Sequence, residues 1–169
     1  MMAPTLETPR LILRMMEPDD WPNYADYYTS ERSASVGGPK SRSQTWQQFA
    51  SFWGHWAIHG FGRFAVVERD TAQSVGHVGP YHPEGYDEPE LSWTLWTNTA
   101  EGRGLAYEAA TAARDWCYSA LGWTTLTSLI DPANDRSIAL AGRLGAAVER
   151  RIELEGYQLD LYRHPGPDA

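Results

Sequence analysis

The chain has 169 residues, 42% hydrophobic and 21% charged, with a formal net charge of −8. That balance fits one ordinary globular domain, residues 1–169, and excludes wholesale disorder. The acidic surface argues against nucleic acid and anionic membrane as partners and mildly favours amine substrates, while the single cysteine, Cys117, excludes a disulfide framework or a multi-cysteine metal centre.

One cysteine also fits a reducing cytoplasm. Met1-Met2-Ala3-Pro4-Thr5 lacks a basic region followed by an apolar stretch, so no signal peptide is predicted. No apolar run approaches the ~20 residues needed to cross a bilayer. The expected location is cytoplasmic. Lys40 is the only lysine, against thirteen arginines, a compositional bias rather than a functional signal.

Pro9–Met15 alternates and reads as a strand. Glu17-Pro18-Asp19-Asp20 is a helix-start signal for a helix through Tyr24–Tyr28. Glu31–Ser43, rich in Ser, Gly and Pro, reads as a loop. Trp46, Phe49, Trp53 and Trp56 recur at helical spacing and predict one face of a second helix, ended by Gly60 and Gly62. His55 and His59 are four apart on that helix, but no third ligand is evident, and no metal site is predicted.

Arg63–Glu68 and Ser74–Pro80 form a predicted hairpin around Arg69–Gln73, and His82–Pro89 is a loop. Glu90–Trp96 is the next strand. A Gly-rich turn and an alanine-rich helix, Leu105–Ala120, follow it, with Gly122 as the C-terminal cap. Thr124–Ile130 reads as a buried strand and Asn134–Leu144 as a short helix capped by Gly145. Ala147–Leu154 and Tyr157–Arg163 close the order as a strand pair around Glu155-Gly156. Hairpins mixed with a strand–helix–strand crossover give an α+β or mixed α/β fold with helices on both faces.

The turn Glu101-Gly102-Arg103-Gly104-Leu105-Ala106 is the strongest chemical signal. A glycine-rich turn leading from a strand into a helix N-terminus aims several N–H groups at one point, a cradle for phosphate. It lacks the Gly-Lys-Ser/Thr of a Walker A loop. It also lacks the third glycine of a dinucleotide fingerprint, where Tyr107 stands instead.

The spacing resembles the phosphate loop of the GNAT superfamily of N-acetyltransferases, Gln/Arg-x-x-Gly-x-Gly/Ala. The likeness is to the branch containing the ribosomal-protein N-terminal acetyltransferases. Leu6-Glu7-Thr8-Pro9-Arg10-Leu11-Ile12-Leu13-Arg14 is similar to that branch's opening strand, and Asp131-Pro132-Ala133-Asn134-Asp135-Arg136-Ser137 to its Asn-x-x-Ser segment. Two positions depart from the pattern. Glu101 stands where Gln or Arg is usual, and Ala146 where an aromatic usually follows Leu144-Gly145.

The resemblance implies a mostly antiparallel twisted sheet with one splayed parallel pair, Glu90–Trp96 and Thr124–Ile130, and acetyl coenzyme A in the cleft between them. Backbone N–H groups of Gly102, Arg103, Gly104, Leu105 and Ala106 would hold the pyrophosphate. The strand near Trp96 and the Asn134 side chain would hold the pantetheine arm. The activity implied is acetyl transfer to a primary amine by direct attack, with a protein N-terminus or a small molecule as acceptor.

That chemistry needs a neutral amine, a donor for the oxyanion and a route for thiolate to leave. Ser137 is the family-matched acid. Glu90 is the first candidate base, ahead of Asp87 and Glu88, acting directly or through water. Two rival readings remain at this point: an acyl-CoA-binding module without chemistry, and a nucleotide-binding regulator. Exposed aromatics or a strand edge leave room for a homodimer.

Overall fold

A computed structural model describes residues 3–169. Met1 and Met2, where the signal-peptide reading begins, lie outside the described residues. The strands are β1 (Leu6–Glu7), β2 (Leu11–Arg14), β3 (Phe64–Glu68), β4 (Ser74–Tyr81), β5 (Glu90–Leu95), β6 (Thr127–Ile130), β7 (Ala147–Leu154) and β8 (Tyr157–Arg163). The helices are α1 (Trp21–Tyr28), α2 (Arg42–His59), α3 (Leu105–Ser119) and α4 (Asp135–Arg143).

All eight strands join one sheet in the order β1-β2-β3-β4-β5-β6-β8-β7. Every neighbouring pair is antiparallel except β5 and β6. Residue alternation assigns the two faces. Leu11, Leu13, Phe64, Val66 and Leu91 face one way and pack on Leu105, Ala109, Ala113 and Cys117 of α3. Ala65 and Val67 face the other way, onto Tyr24 and Tyr28 of α1 and Phe49 and Phe52 of α2. Small alanines along α3 let that helix approach the sheet closely.

The parallel pair is the unusual joint. β4 and β5 pair over six positions, from Gly76↔Leu95 to Tyr81↔Glu90, whereas β5 and β6 share one, Glu90↔Thr127. Beyond it the strands part. Thr127 Oγ1 donates to the Pro89 carbonyl at 3.1 Å and Ser128 Oγ to the Leu91 carbonyl at 2.6 Å, so side chains replace the ladder where it opens.

Three expectations are corrected. Glu31–Val36, read as part of a loop, is a 3-10 helix ended by Gly37 in the left-handed region (φ 85°). Of the predicted stripe on α2, Phe49 and Trp56 are buried, together with Thr45, Phe52 and His55, whereas Trp46 and Trp53 are not. Trp46 is 52% exposed and rests edge-on against Trp21, with ring centroids 4.9 Å apart. The strand expected from Thr124 begins at Thr127. Ala146, in place of the usual aromatic, is buried with Ile130 and Ala141, and Trp93, Ile138 and Tyr162 pack against that cluster.

Candidate functional site

The parting of β5 and β6 opens a cavity of about 410 Å³. Its floor is Trp93, Thr94 and Leu95 of β5. One wall is the start of α3, Gly102 and Gly104–Tyr107, and another is the face of α4 carrying Arg136, Ser137, Leu140 and Arg143. Tyr27 of α1 and Arg32, Ser35 and Val36 of the 3-10 helix close it from the other side.

Backbone groups alternate along a strand as side chains do. The Trp96 N–H bonds to the Val75 carbonyl at 2.7 Å, on the β4 side, and the Leu91 carbonyl is reached from β6. The N–H and C=O groups of Trp93 and Leu95 therefore point away from β4, into the cleft, with no strand opposite them. They form an unpaired peptide edge able to bind amide groups and to donate to an oxyanion.

At the cleft mouth, Gly102 and Gly104 both hold positive φ, 71° and 77°, which a side chain would strain. The Glu108 N–H bonds to the Gly104 carbonyl at 3.1 Å. The N–H groups of Leu105, Ala106 and Tyr107 precede it in the first turn and have no carbonyl of their own helix to reach. The turn is pinned from outside. Arg10 bridges the Glu108 carboxylate at 2.6 Å and the Arg103 carbonyl at 2.8 Å, and Glu108 also accepts from Thr8 Oγ1 at 2.6 Å.

Glu101 lines the mouth, but not as a bare carboxylate. Its Oε1 accepts from Arg32 Nη2 at 3.0 Å, and its Oε2 lies 2.8 Å from Arg136 Nη1. Burial pushes its pKa up, but Arg136 and Arg32 outweigh that and hold it below the usual carboxylate value.

Deeper in, the Asn134 Oδ1 caps α4 by accepting the Ser137 N–H at 3.1 Å. Ser137 Oγ accepts from Trp93 Nε1 at 3.2 Å. A serine oxygen that receives a hydrogen bond keeps its own proton free to donate, and donates it more readily. Asn134 and Ser137 both line the cavity.

Of the sequence-predicted residues, Gly102, Gly104, Leu105, Ala106, Asn134 and Ser137 meet at this cleft. Three do not. Trp96 is 2% exposed; its Nε1 donates to His77 Nδ1 at 3.0 Å and its carbonyl accepts from Arg32 at 2.6 Å, so Trp93 and Leu95 present the strand edge instead. The Arg103 guanidinium turns back to Glu68 at 2.7 Å and the Thr99 carbonyl at 3.2 Å, so its side chain anchors the loop, which leaves the expectation for its backbone N–H untouched.

Glu90 is 6% exposed and does not line the cleft. It pairs with Arg63 at 3.2 Å and accepts from the Leu129 N–H at 3.4 Å. Burial raises its pKa while Arg63 pulls it back. Thr94, on the same strand face, is four residues on, about 13 Å along the strand. The lesser base candidates are also displaced: Glu88 chelates Arg163 and Asp87 is exposed beside Arg150.

Sequence reasoning missed Arg32, Arg136, Arg143 and Trp93. Arg136 and Arg143 are seven apart, with Leu140 between, a helical-face spacing that was legible. Arg32 lay inside a segment read as loop and carried no signal.

His55 donates from Nδ1 to the Phe61 carbonyl and accepts the His82 N–H at Nε2, so both ring nitrogens are committed. Among the described residues no three His, Cys, Asp or Glu side chains gather into a metal site. Burial pushes the Cys117 thiol up to about 12, which leaves it inert at neutral pH. No helix among the described residues is long and apolar enough to cross a membrane.

Comparison with known proteins agrees with this geometry. A family model described as "Acetyltransferase (GNAT) domain" matches residues 10–147. The crystal structure of an acetyltransferase from Agrobacterium tumefaciens is 37% identical, with a TM-score of 0.88 over 95% of this chain and 94% of that one. A GNAT-family acetyltransferase from Bacillus anthracis shares the fold at 19% identity, with a TM-score of 0.77 over 95% and 96% of the two chains. Ribosomal-protein-S5-alanine acetyltransferase from Vibrio fischeri shares it at 17% identity, with a TM-score of 0.76 over 98% of each chain. A sheet opened at one parallel joint, a glycine turn at its mouth and a family match spanning most of the sequence converge: this chain belongs to the GNAT acetyltransferase family.

Proposed function

We propose that the protein transfers acetyl from acetyl coenzyme A to a primary amine, by direct attack of the neutral amine on the thioester carbonyl. The observation that carries this reading is the unpaired edge of Trp93 and Leu95 inside a cleft with a phosphate cradle at its mouth. The residues fit such a co-substrate. The cleft lining carries three arginines against one carboxylate, in a chain whose net charge is −8. An extended, amide-bearing arm finds an unpaired strand edge beside it.

In this reading the first-turn N–H groups of α3 take the pyrophosphate, and a β5 N–H stabilises the developing oxyanion. Ser137 Oγ, fed by Trp93 Nε1, gives its proton to the departing sulfur. A thiol pKa of ~8.5 makes thiolate a fair leaving group, so one weak acid is enough. An α-amino group at pKa ~7.7–8.0 is partly neutral at pH 7 and needs little help, while a lysine amine at ~10.4 needs much more. Glu90 enters as the base only through a relay of water, because Arg63 and Leu129 hold it outside the cleft. That distance favours acceptors of the α-amino class.

A second reading is a non-catalytic acyl-CoA-binding module, and the position of Glu90 is the observation in its favour. A thermal-shift titration with acetyl-CoA, run beside a thiol-release screen over amines and peptides, tests both. The transferase reading expects a saturable shift and thiol release with at least one acceptor. A shift with no release across the panel favours the module, and no shift at all overturns both.

A further inference from the structure

We propose that Glu101 is a positioning residue, holding Arg32 and Arg136 on either side of the cleft mouth so that these guanidiniums receive the phosphates of an acyl-CoA. The proposal rests on the acyl-CoA reading and names which side chains do the electrostatic work in this chain.

Glu101 stands where the resemblance calls for Gln or Arg, at the edge of a phosphate cradle. A bare carboxylate there would repel the ligand. The structure surrounds it instead. Each of its oxygens meets a different arginine, Arg32 at 3.0 Å and Arg136 at 2.8 Å. Those arginines come from separate parts of the chain, the 3-10 helix after α1 and the first turn of α4. Arg143 joins them on the lining, its guanidinium over the Tyr107 ring at 4.5 Å. The net formal charge of the lining is thus +2, three arginines less one glutamate, within an acidic protein.

The two paired arginines are held differently. Arg32 is fixed at three points: the Trp96 carbonyl at 2.6 Å, Glu101, and the face of Tyr27 at 5.1 Å. Arg136 has an ion pair to Glu101 alone, and its side chain is 77% exposed. Without Glu101 it would sample many rotamers, and a ligand would have to order it on binding. With Glu101, both guanidiniums converge before the ligand arrives. Arg136 spends one terminal nitrogen on Glu101 and keeps the rest of its fork for phosphate oxygens, whereas Arg32 spends one N–H of each terminal nitrogen, on Trp96 and Glu101, and keeps the second N–H of each.

Two effects compete at residue 101. Removing the carboxylate adds one unit of positive character to a solvent-facing mouth, where salt screens it. It also unties two arginines that bind phosphate only when aimed. The geometry favours the second effect. The missing basic residue of the loop is replaced by two arginines gathered around an acid.

The test compares wild type, Arg136→Gln, Arg32→Gln, Glu101→Ala, the double variant lacking both arginines and the triple variant. Coenzyme A affinity is measured by calorimetry, and thiol release with both acetyl-CoA and S-acetylpantetheine, which lacks the phosphates. Melting temperatures establish that each variant is folded. Arg136→Gln and Arg32→Gln are expected to weaken coenzyme A about 10-fold each. Glu101→Ala is expected to weaken it about 3- to 10-fold despite removing a negative charge, and to raise KM for acetyl-CoA with kcat unchanged. None of the three should alter kinetics with S-acetylpantetheine. In the background lacking both arginines, Glu101→Ala should no longer weaken binding.

Tighter coenzyme A binding by Glu101→Ala overturns the proposal, as does an equal loss with S-acetylpantetheine. Should Arg32→Gln unsettle the fold, the variants at the exposed Arg136 and the partly buried Glu101 decide alone. If wild type binds no coenzyme A, the acyl-CoA reading itself fails, a result distinct from any of these.

Discussion

Trp93 Nε1 donates to Ser137 Oγ at 3.2 Å, joining the floor of the cleft to the first turn of α4. The bond ties the candidate acid to the strand edge on which the acetyl group would lie. Ser137→Ala should lower kcat about 10²-fold with little change in the KM for acetyl-CoA. Trp93→Phe should cost less, about 3- to 10-fold, because the hydroxyl remains and only its orientation is lost. Steady-state thiol release over a range of acetyl-CoA concentrations measures both. Equal kcat values for Ser137→Ala and wild type would remove Ser137 from the chemistry.

The glycine turn offers a backbone prediction. Gly102 and Gly104 sit at φ 71° and 77°, where a Cβ costs about 1–2 kcal/mol. No atom lies within 4 Å of a Cβ placed on Gly102, so the penalty there is conformational alone. Gly102→Ala should lower stability by about that amount, and should weaken acetyl-CoA further if the loop relaxes. Chemical denaturation and a binding titration separate the two effects.

The Arg63–Glu90 pair is nearly sealed, with side-chain exposures of 10% and 8%. Arg63 also donates to Ser92 Oγ at 2.6 Å and covers the Tyr81 ring at 3.8 Å. Removing one partner strands the other charge, so Glu90→Ala should cost about 3–5 kcal/mol. Replacing both by apolar residues should cost less than the sum of the single changes. Glu90→Gln, which keeps the shape, is the variant for activity. If Glu90 is the relayed base, the acidic limb of the kcat/KM profile disappears in that variant; if it is only structural, the limb persists.

The buried histidines set a pH window. Burial lowers His55 and His164 to about 4, and His77 also falls well below its usual value. His164 shows why. Ser128 gives its proton to the Leu91 carbonyl, so His164 Nε2 donates to Ser128 Oγ at 2.9 Å, and Nδ1 is left buried without a partner for an added proton. Between pH 6.5 and 4 the unfolded chain takes up protons that the folded chain refuses. The stability these groups contribute is complete above pH 6.5 and is lost as pH falls through the window. The slope is up to about 1.4 kcal/mol per pH unit for each histidine. The carboxylates held low by arginine, among them Glu88 and Glu101, lose their protection only below the usual value of 4.5. A falling melting temperature between pH 6.5 and 5 therefore reports on the histidines, and a flat one would contradict the assignment.

What the sequence made legible was the part governed by local rules. Alternation marked β2 and β5, alanine richness marked α3, and Asn134 and Gly102 occupied positions with strong backbone preferences. What it hid depends on contacts between distant segments. Arg32 acquires its place only because Trp96 and Glu101 arrive from 64 and 69 residues away. On α2 the helical spacing picked out Phe49 and Trp56, which are buried, but also Trp46 and Trp53, which flank the buried face that Thr45 and Phe52 complete. Glu90 was placed at the cleft because it begins the right strand, yet it lies four residues short of Thr94 on the same face, where Arg63 and the Leu129 N–H hold it outside the cleft.

The single register pair between β5 and β6 has a consequence for solubility. Unpaired strand edges at the margin of a sheet invite other chains to add on. Here the sheet is interrupted in its middle, and the bare edge of Trp93 and Leu95 is walled by α3, α4 and the 3-10 helix. A narrow, flexible, amide-containing molecule can thread to that edge, whereas a second folded chain is sterically refused. An unpaired edge enclosed in this way is shielded from edge-to-edge pairing with another sheet.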